Sequence, residues 1–225
     1  MLFPGGVADP ALGRAYVRDR TGAMSSIDLE TGRVLWKRGA GWRPIAVAPG
    51  AVVLTRPGPG RLEIAALDAE DGHERMRTTA DLPDWVQPSD DAADLSLRGT
   101  VTGDRLRLWW TARGGYRGGA PPSDEKLTEH NRESGGVIEV DLRDGTVSEV
   151  EAAAPGDDAE LAQHRLPVSD TGVLDAARIG PYRYNLAATA SGPLVLRAVD
   201  DRTSVTRWEL ALDAGPSRAP RRPRP

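Results

Sequence analysis

Ser26-Ile27-Asp28-Leu29-Glu30-Thr31-Gly32-Arg33-Val34-Leu35-Trp36 reads as an apolar strand, an aspartate, a short polar turn and a second strand ending on tryptophan. Three other stretches share this grammar: Ala66-Leu67-Asp68 through Gly72 to Met76, Glu139-Val140-Asp141 through Gly145 to Val147, and Ala198-Val199-Asp200 to Trp208. In each, the aspartate can accept backbone N–H bonds across the turn, and glycine supplies the positive φ at which the chain reverses. The fourth copy carries Ser204 in place of that glycine, which predicts a slightly different turn. Trp36 and Trp208 stand eight residues after their aspartates, Met76 holds the same place after Asp68, and Glu149 holds it in the third copy.

Further strands precede each hairpin. Gly13-Arg14-Ala15-Tyr16-Val17 stands before the first, and Ile45–Ala48 and Ala51–Leu54, joined by Pro49-Gly50, stand before the second. Before the third, Leu106, Leu108 and Trp110 alternate with Arg105, Arg107 and Trp109 as in a half-buried strand. Tyr184–Ala190 and Leu194–Leu196 precede the fourth. Four short antiparallel strands per unit form a sheet that cannot bury its two faces alone and has to stack on its neighbours. The expected fold is all-β: a small propeller-like domain of about four four-stranded blades, closed, or an open or partial ring.

Ala15-Tyr16-Val17 followed by Gly22–Trp36 resembles the pyrroloquinoline-quinone (PQQ) type of β-propeller repeat, in which a "YV" and an "ALD-x-x-TG-x-x-LW" pattern recur in every blade. The first copy matches well, the second and fourth moderately, the third weakly, and together they touch most of residues 1–212. The units implied are 1–40, 41–80, 95–150 and 165–212, followed by a disordered basic tail at 213–225. Asp28, Asp68, Asp141 and Asp200 stand 40, 73 and 59 residues apart. A blade of about 40–45 residues leaves room for insertions in the two long intervals, and these are placed at about 113–135 and around 151–164. The resemblance also admits a symmetric homodimer in which this chain supplies half of a larger ring.

Composition narrows the function. With 39% hydrophobic and 28% charged residues, a net charge of -4 and a mean hydropathy of -0.43, nothing in the overall balance points to nucleic acid or a membrane surface. No run reaches the ~20 apolar residues of a spanning helix. Met1–Gly6 lacks the basic and apolar regions of a signal peptide, which places the chain as written in the cytoplasm. Because the repeat starts almost at Met1, a missing export segment would instead place it outside the cytoplasm.

Quinoprotein dehydrogenases of the resembled family imply a longer chain of about eight blades, a calcium-bound cofactor over a tryptophan, an aspartate base and a cysteine pair. This chain has no cysteine and about half the blades, so no cofactor is expected. His73, His130 and His164 show no metal-ligand spacing. The acidic stretches 89–94 and 156–160 lack the alternation and glycine of a calcium loop and read as solvated linkers. No nucleophile elbow or phosphate loop is present.

The expectation is a non-catalytic scaffold that binds a protein partner, the alternative being a small-ligand sensor or enzyme using the central channel. The repeat positions Asp28, Gly32, Trp36, Asp68, Gly72, Asp141, Gly145, Asp200 and Trp208 are expected to be structural. Candidate interface residues are Trp85, which sits between prolines outside a regular strand, and Tyr116 and His130 in the insertion. Ser123–Glu133 reads as a short helix capped by Ser123.

Overall fold

A computed structural model describes residues 5–86, 95–113, 133–150, 165–166, 168–169, 177–187 and 193–213. The elements are strands. The first sheet holds β1 (Gly5–Asp9), β2 (Arg14–Arg18), β3 (Ala23–Asp28) and β4 (Val34–Ala40), and the second β5 (Arg43–Ala48), β6 (Ala51–Gly58), β7 (Arg61–Asp68) and β8 (Glu74–Asp81). The third holds β9 (Leu95–Thr102), β10 (Arg105–Arg113), β11 (Glu133–Asp141) and β12 (Val147–Val150). Two short strands follow, β13 (Arg165–Leu166) and β14 (Val168–Ser169), and the fourth sheet adds β15 (Ala177–Ile179), β16 (Tyr182–Ala187), β17 (Val195–Asp200) and β18 (Thr206–Ala211). The chain is thus an all-β, propeller-like stack of four meandering antiparallel sheets, and the sheets do not close into a ring.

Three apolar cores fix the order of stacking. Val7, Tyr16, Met24 and Trp36 of the first sheet pack on Val52, Leu54, Leu67 and Ala69 of the second. Val53, Ile64, Ala66 and Met76 on the other face of the second sheet pack on Leu106, Leu108, Ile138 and Val140 of the third. Ala15, Val17, Ile27 and Leu29 on the other face of the first pack on Tyr184, Leu186, Leu196 and Ala198 of the fourth. The spatial order is therefore fourth, first, second, third. No core cluster among the described residues joins the third sheet to the fourth, although the two are consecutive in sequence.

The segment between those sheets carries β13 and β14. β13 pairs antiparallel with β1, and β14 pairs parallel with β16 beside the stretch of that strand taken by β15. Arg165–Leu166 thus belongs to the first sheet although it falls at the start of the fourth sequence unit. The ladder of β10 and β11 runs out to Arg113 opposite Glu133, so the insertion expected at 113–135 reaches only 114–132 beyond the strands. Those residues, the expected helix at 123–133 up to its last residue, the acidic stretches 89–94 and 156–160, and the tail from 214 lie outside the described residues.

Candidate functional site

The four aspartate turns share one set of hydrogen bonds. Gly32, Gly72, Gly145 and Ser204 donate N–H to the carbonyls of Asp28, Asp68, Asp141 and Asp200, and those aspartates donate to the carbonyls of Arg33, His73, Thr146 and Val205. Leu29, Ala69, Leu142 and Asp201 each donate to the β-turn carbonyl of their own sheet, at Gly13, Gly50, Asp104 and Pro181. Each aspartate Oδ1 accepts a further backbone N–H, from Thr31, Glu70, Arg143 and Thr203. These bonds hold the carboxyls below the usual carboxylate range. The Thr31 hydroxyl is the main cause for Asp28, the Arg75 guanidinium for Asp68, the Arg143 guanidinium for Asp141 and the Thr203 amide for Asp200.

The fourth turn does not differ from the others. Ser204 adopts φ +58° and makes the same bonds, so the difference expected from the serine is absent. Glycine meets a second demand in the other copies. A Cβ on Gly72 would lie 2.9 Å from the Trp36 ring, and one on Gly32 2.8 Å from the Trp208 ring. The knob of one sheet sits on the turn of the next, and each indole N–H donates to the carbonyl beside it: Trp36 to Ala69 at 3.1 Å and Trp208 to Leu29 at 3.2 Å. Tyr184 adds its hydroxyl to the Leu29 carbonyl at 3.1 Å, with burial pushing its pKa up to about 12. Met76 packs likewise at Gly145. Ser204 has no knob upon it because the sheet that would supply one is not stacked there.

The same absence shows in the strands. Two residues before each turn aspartate, the second and third strands pair as Tyr16 with Ser26, Val53 with Ala66, and Tyr184 with Ala198. In the third sheet the pair is Arg107 with Glu139, joined as an ion pair at 2.5 Å and partly exposed. The other three sheets carry a β-bulge between third and fourth strands, which brings the knob onto this face. β11 and β12 pair without one, so Ser148 stands opposite Glu139 and Glu149 opposite Ile138. Glu149 therefore does not occupy the knob position that residue counting gives it.

Two polar walls face the gap. On the third sheet they comprise Arg98, Thr100, Arg105, Arg107, Trp109 and Glu139, aligned across β9, β10 and β11. Arg98 and Arg105 are exposed and Trp109 is half-buried, next to the buried Val137. On the fourth sheet the corresponding positions carry Arg183, Asn185, Arg197 and Asp201. There each arginine has a carboxylate partner, Arg183 with Asp201 at 2.7 Å, Arg178 with the same Asp201 at 3.5 Å and Arg197 with Glu209 at 2.5 Å.

A groove of about 340 Å³ lies between the first two sheets, lined by Arg38, Trp42, His73 and Glu74 among others. The Arg56 and Arg77 guanidiniums lie 4.6 and 5.2 Å from the Trp42 ring centroid. Arg56 pairs with Glu63 at 2.6 Å and Arg77 with Glu74 at 2.5 Å, so this cluster is internally compensated. No group of three or more His, Asp or Glu suited to a metal ion occurs among the described residues.

Of the sequence candidates, Trp85 is half-buried against the core shared by the second and third sheets. It lies in a turn tied by Val86 N–H to the Pro83 carbonyl and by Leu82 N–H to that of Gly60. Tyr116 and His130 lie outside the described residues. Arg98, Arg105, Arg107 and Trp109 were not singled out from the sequence. The alternation of Arg105-Leu106-Arg107-Leu108 was the available signal.

The geometry defines an all-β repeat protein of β-propeller type, open between its third and fourth sheets. No family model and no curated protein matches the chain. Among solved structures it is similar to BamB from Moraxella catarrhalis, at 16% identity and TM-score 0.34, over 91% of this chain and 63% of that one. TolB from Acinetobacter baumannii matches at 14% identity and TM-score 0.34, over 88% and 40%. A europium-containing methanol dehydrogenase matches at 16% and 0.37, over 88% and 39%. With overlaps this loose, the propeller-type assignment rests on the chain's own fourfold repeat. No helix among the described residues is long and apolar enough to cross a membrane.

Proposed function

We propose that the chain is a non-catalytic protein-binding scaffold of PQQ-like repeat type, and that the third sheet's gap-facing wall is where a partner binds. The observation that supports this is the contrast between equivalent positions. Where three sheets bury Tyr16 with Ser26, Val53 with Ala66 and Tyr184 with Ala198 against a neighbour, the third presents Arg107, Glu139 and a half-buried Trp109 to the gap. Aromatic residues and arginine on one rigid surface are the composition from which protein interfaces draw their binding energy. A flat wall also suits a polypeptide better than a small molecule, which is ordinarily held in a concave pocket.

The test is a photo-crosslinking amino acid placed at Thr100 or Thr111 on the wall, and at Leu35 on the outer strand of the first sheet. After irradiation in lysate of the source cell, a discrete protein adduct is expected from the wall positions and not from Leu35. Adducts absent at the wall, or equal at all three positions, would rule the reading out.

A further inference from the structure

We infer that the third-sheet wall recognises an extended acidic polypeptide segment, an inference that rests on the scaffold reading and names its partner's chemistry. The argument is one of charge. The chain as a whole is acidic, at -4, yet this wall gathers Arg98, Arg105 and Arg107 on one sheet face. Glu139 compensates Arg107. Asp141, at the end of the same row, is engaged by Arg143 at 2.6 Å. Arg98 is exposed and holds no ion pair among the described residues, and Arg105, also exposed, stands directly opposite Asp141 across the β10–β11 ladder, where its charge helps to hold that carboxyl low.

The other arginine-rich surfaces differ. Facing the gap from the fourth sheet, Arg178 and Arg183 both engage Asp201 and Arg197 engages Glu209, and beside Trp42, Arg56 and Arg77 are paired with Glu63 and Glu74. Every one of those arginines has a carboxylate within ion-pair distance, whereas Arg98 on the third sheet has none among the described residues.

Trp109 stands directly opposite Arg98 across the β9–β10 ladder, with Arg107 two residues before it. Two exposed guanidiniums, Arg98 and Arg105, spaced along adjacent strands around an indole, match carboxylates repeating along an extended backbone. The carboxylates can take bidentate hydrogen bonds from arginine, and the indole gives the intervening apolar carbons a flat surface. The alternation that keeps Leu106, Leu108 and Trp110 in the core is the same alternation that lines these groups up outside.

The purified full chain is titrated into a labelled oligo-glutamate peptide of about eight residues, a strand's length, and into a glutamine peptide of the same length, with anisotropy as readout. The glutamate peptide is expected to bind and the glutamine peptide not, with affinity falling as salt rises. The double reversal R98E/R105E should weaken binding by at least about tenfold, while R33E/R61E, at exposed positions of the first and second sheets, leaves it unchanged. Thermal melts confirm that both variants fold, and W109F, which keeps a ring, provides a milder second variant with reduced affinity. Failure of the glutamate peptide to bind, or equal binding by R98E/R105E, overturns the inference. If the peptide fails while the wall crosslinkers still trap a protein, the acidic chemistry falls and the scaffold reading stands. The converse result would sink the scaffold reading and keep the acidic site.

Discussion

The second and third sheets are built from the same repeat and differ in what covers them. Ala51–Thr55 of β6 are buried without interruption, because sheets pack on both sides of it. In β10, residues 105–112 run exposed and buried in turn, apart from the half-buried Trp109, because among the described residues an apolar core packs on one side of it. A strand buried on both faces reads as a continuous apolar run, and one buried on a single face alternates. The ring is thus interrupted by side-chain choice: the third and fourth sheets expose polar faces to each other as the terminal units of a repeat stack do.

The largest effect that could break this comparison comes from the knobs. W36A removes a ring buried between two sheets and its bond to the Ala69 carbonyl, and is expected to cost about 3–5 kcal/mol in urea unfolding. R107A changes the wall and is expected to cost less than about 0.5 kcal/mol. Equal losses would mean that the third-sheet face is covered like the others.

Next come the turns. G72A adds a methyl 2.9 Å from the Trp36 ring at φ +70°, and is expected to destabilise by about 2–4 kcal/mol. S204G, at the uncovered turn, should stay within about 1 kcal/mol of wild type because only φ and a long, exposed bond from Arg183 to the serine hydroxyl are at stake there. G13A, at φ +61° with open space around it, isolates the backbone contribution, and a loss as large as that of G72A would remove packing from the explanation.

The smallest and broadest effect is acid sensitivity. The four turn aspartates have folded pKa values below their ordinary ones. Their contribution is therefore complete above about pH 4 and is lost as pH falls through the folded values. Urea midpoints should be level between about pH 5 and 7 and drop below about pH 4. D200N, which cannot titrate, should flatten part of that drop. A midpoint that drops instead near neutrality would point to other groups.

The repeat was legible because its turn is local: an aspartate, a polar gap and a φ-positive residue specify the hairpin without reference to the rest of the chain. The Arg105–Leu108 alternation was legible too, and marks an end sheet once one knows which neighbours are packed. The stacking order was not, since it depends on which of two faces each strand presents, and a bulge shifts that by one residue. That is why Glu149 counts as a knob in sequence while Ser148 stands on the face in the fold. Ser204 misled in the opposite direction, because a serine can hold the glycine's φ at an exposed turn on which no tryptophan or methionine of a neighbouring sheet sits. Trp85, Tyr116 and His130 were chosen by residue type and local context, whereas the wall consists of side chains drawn from three strands and aligned only by register.

The central claim is that the third-to-fourth junction is open while equivalent junctions are closed. The chain has no cysteine, so spin labels can be placed cleanly. Labels at Arg75 and Arg143 bracket the closed junction between second and third sheets, and labels at Ser148 and Arg202 bracket the gap from the matching outer strand and aspartate turn, all four being exposed. Double electron–electron resonance on the two pairs is expected to give a clearly longer distance for Ser148–Arg202 than for Arg75–Arg143. Coincident distance distributions would mean that the ring closes in solution and that the polar walls meet.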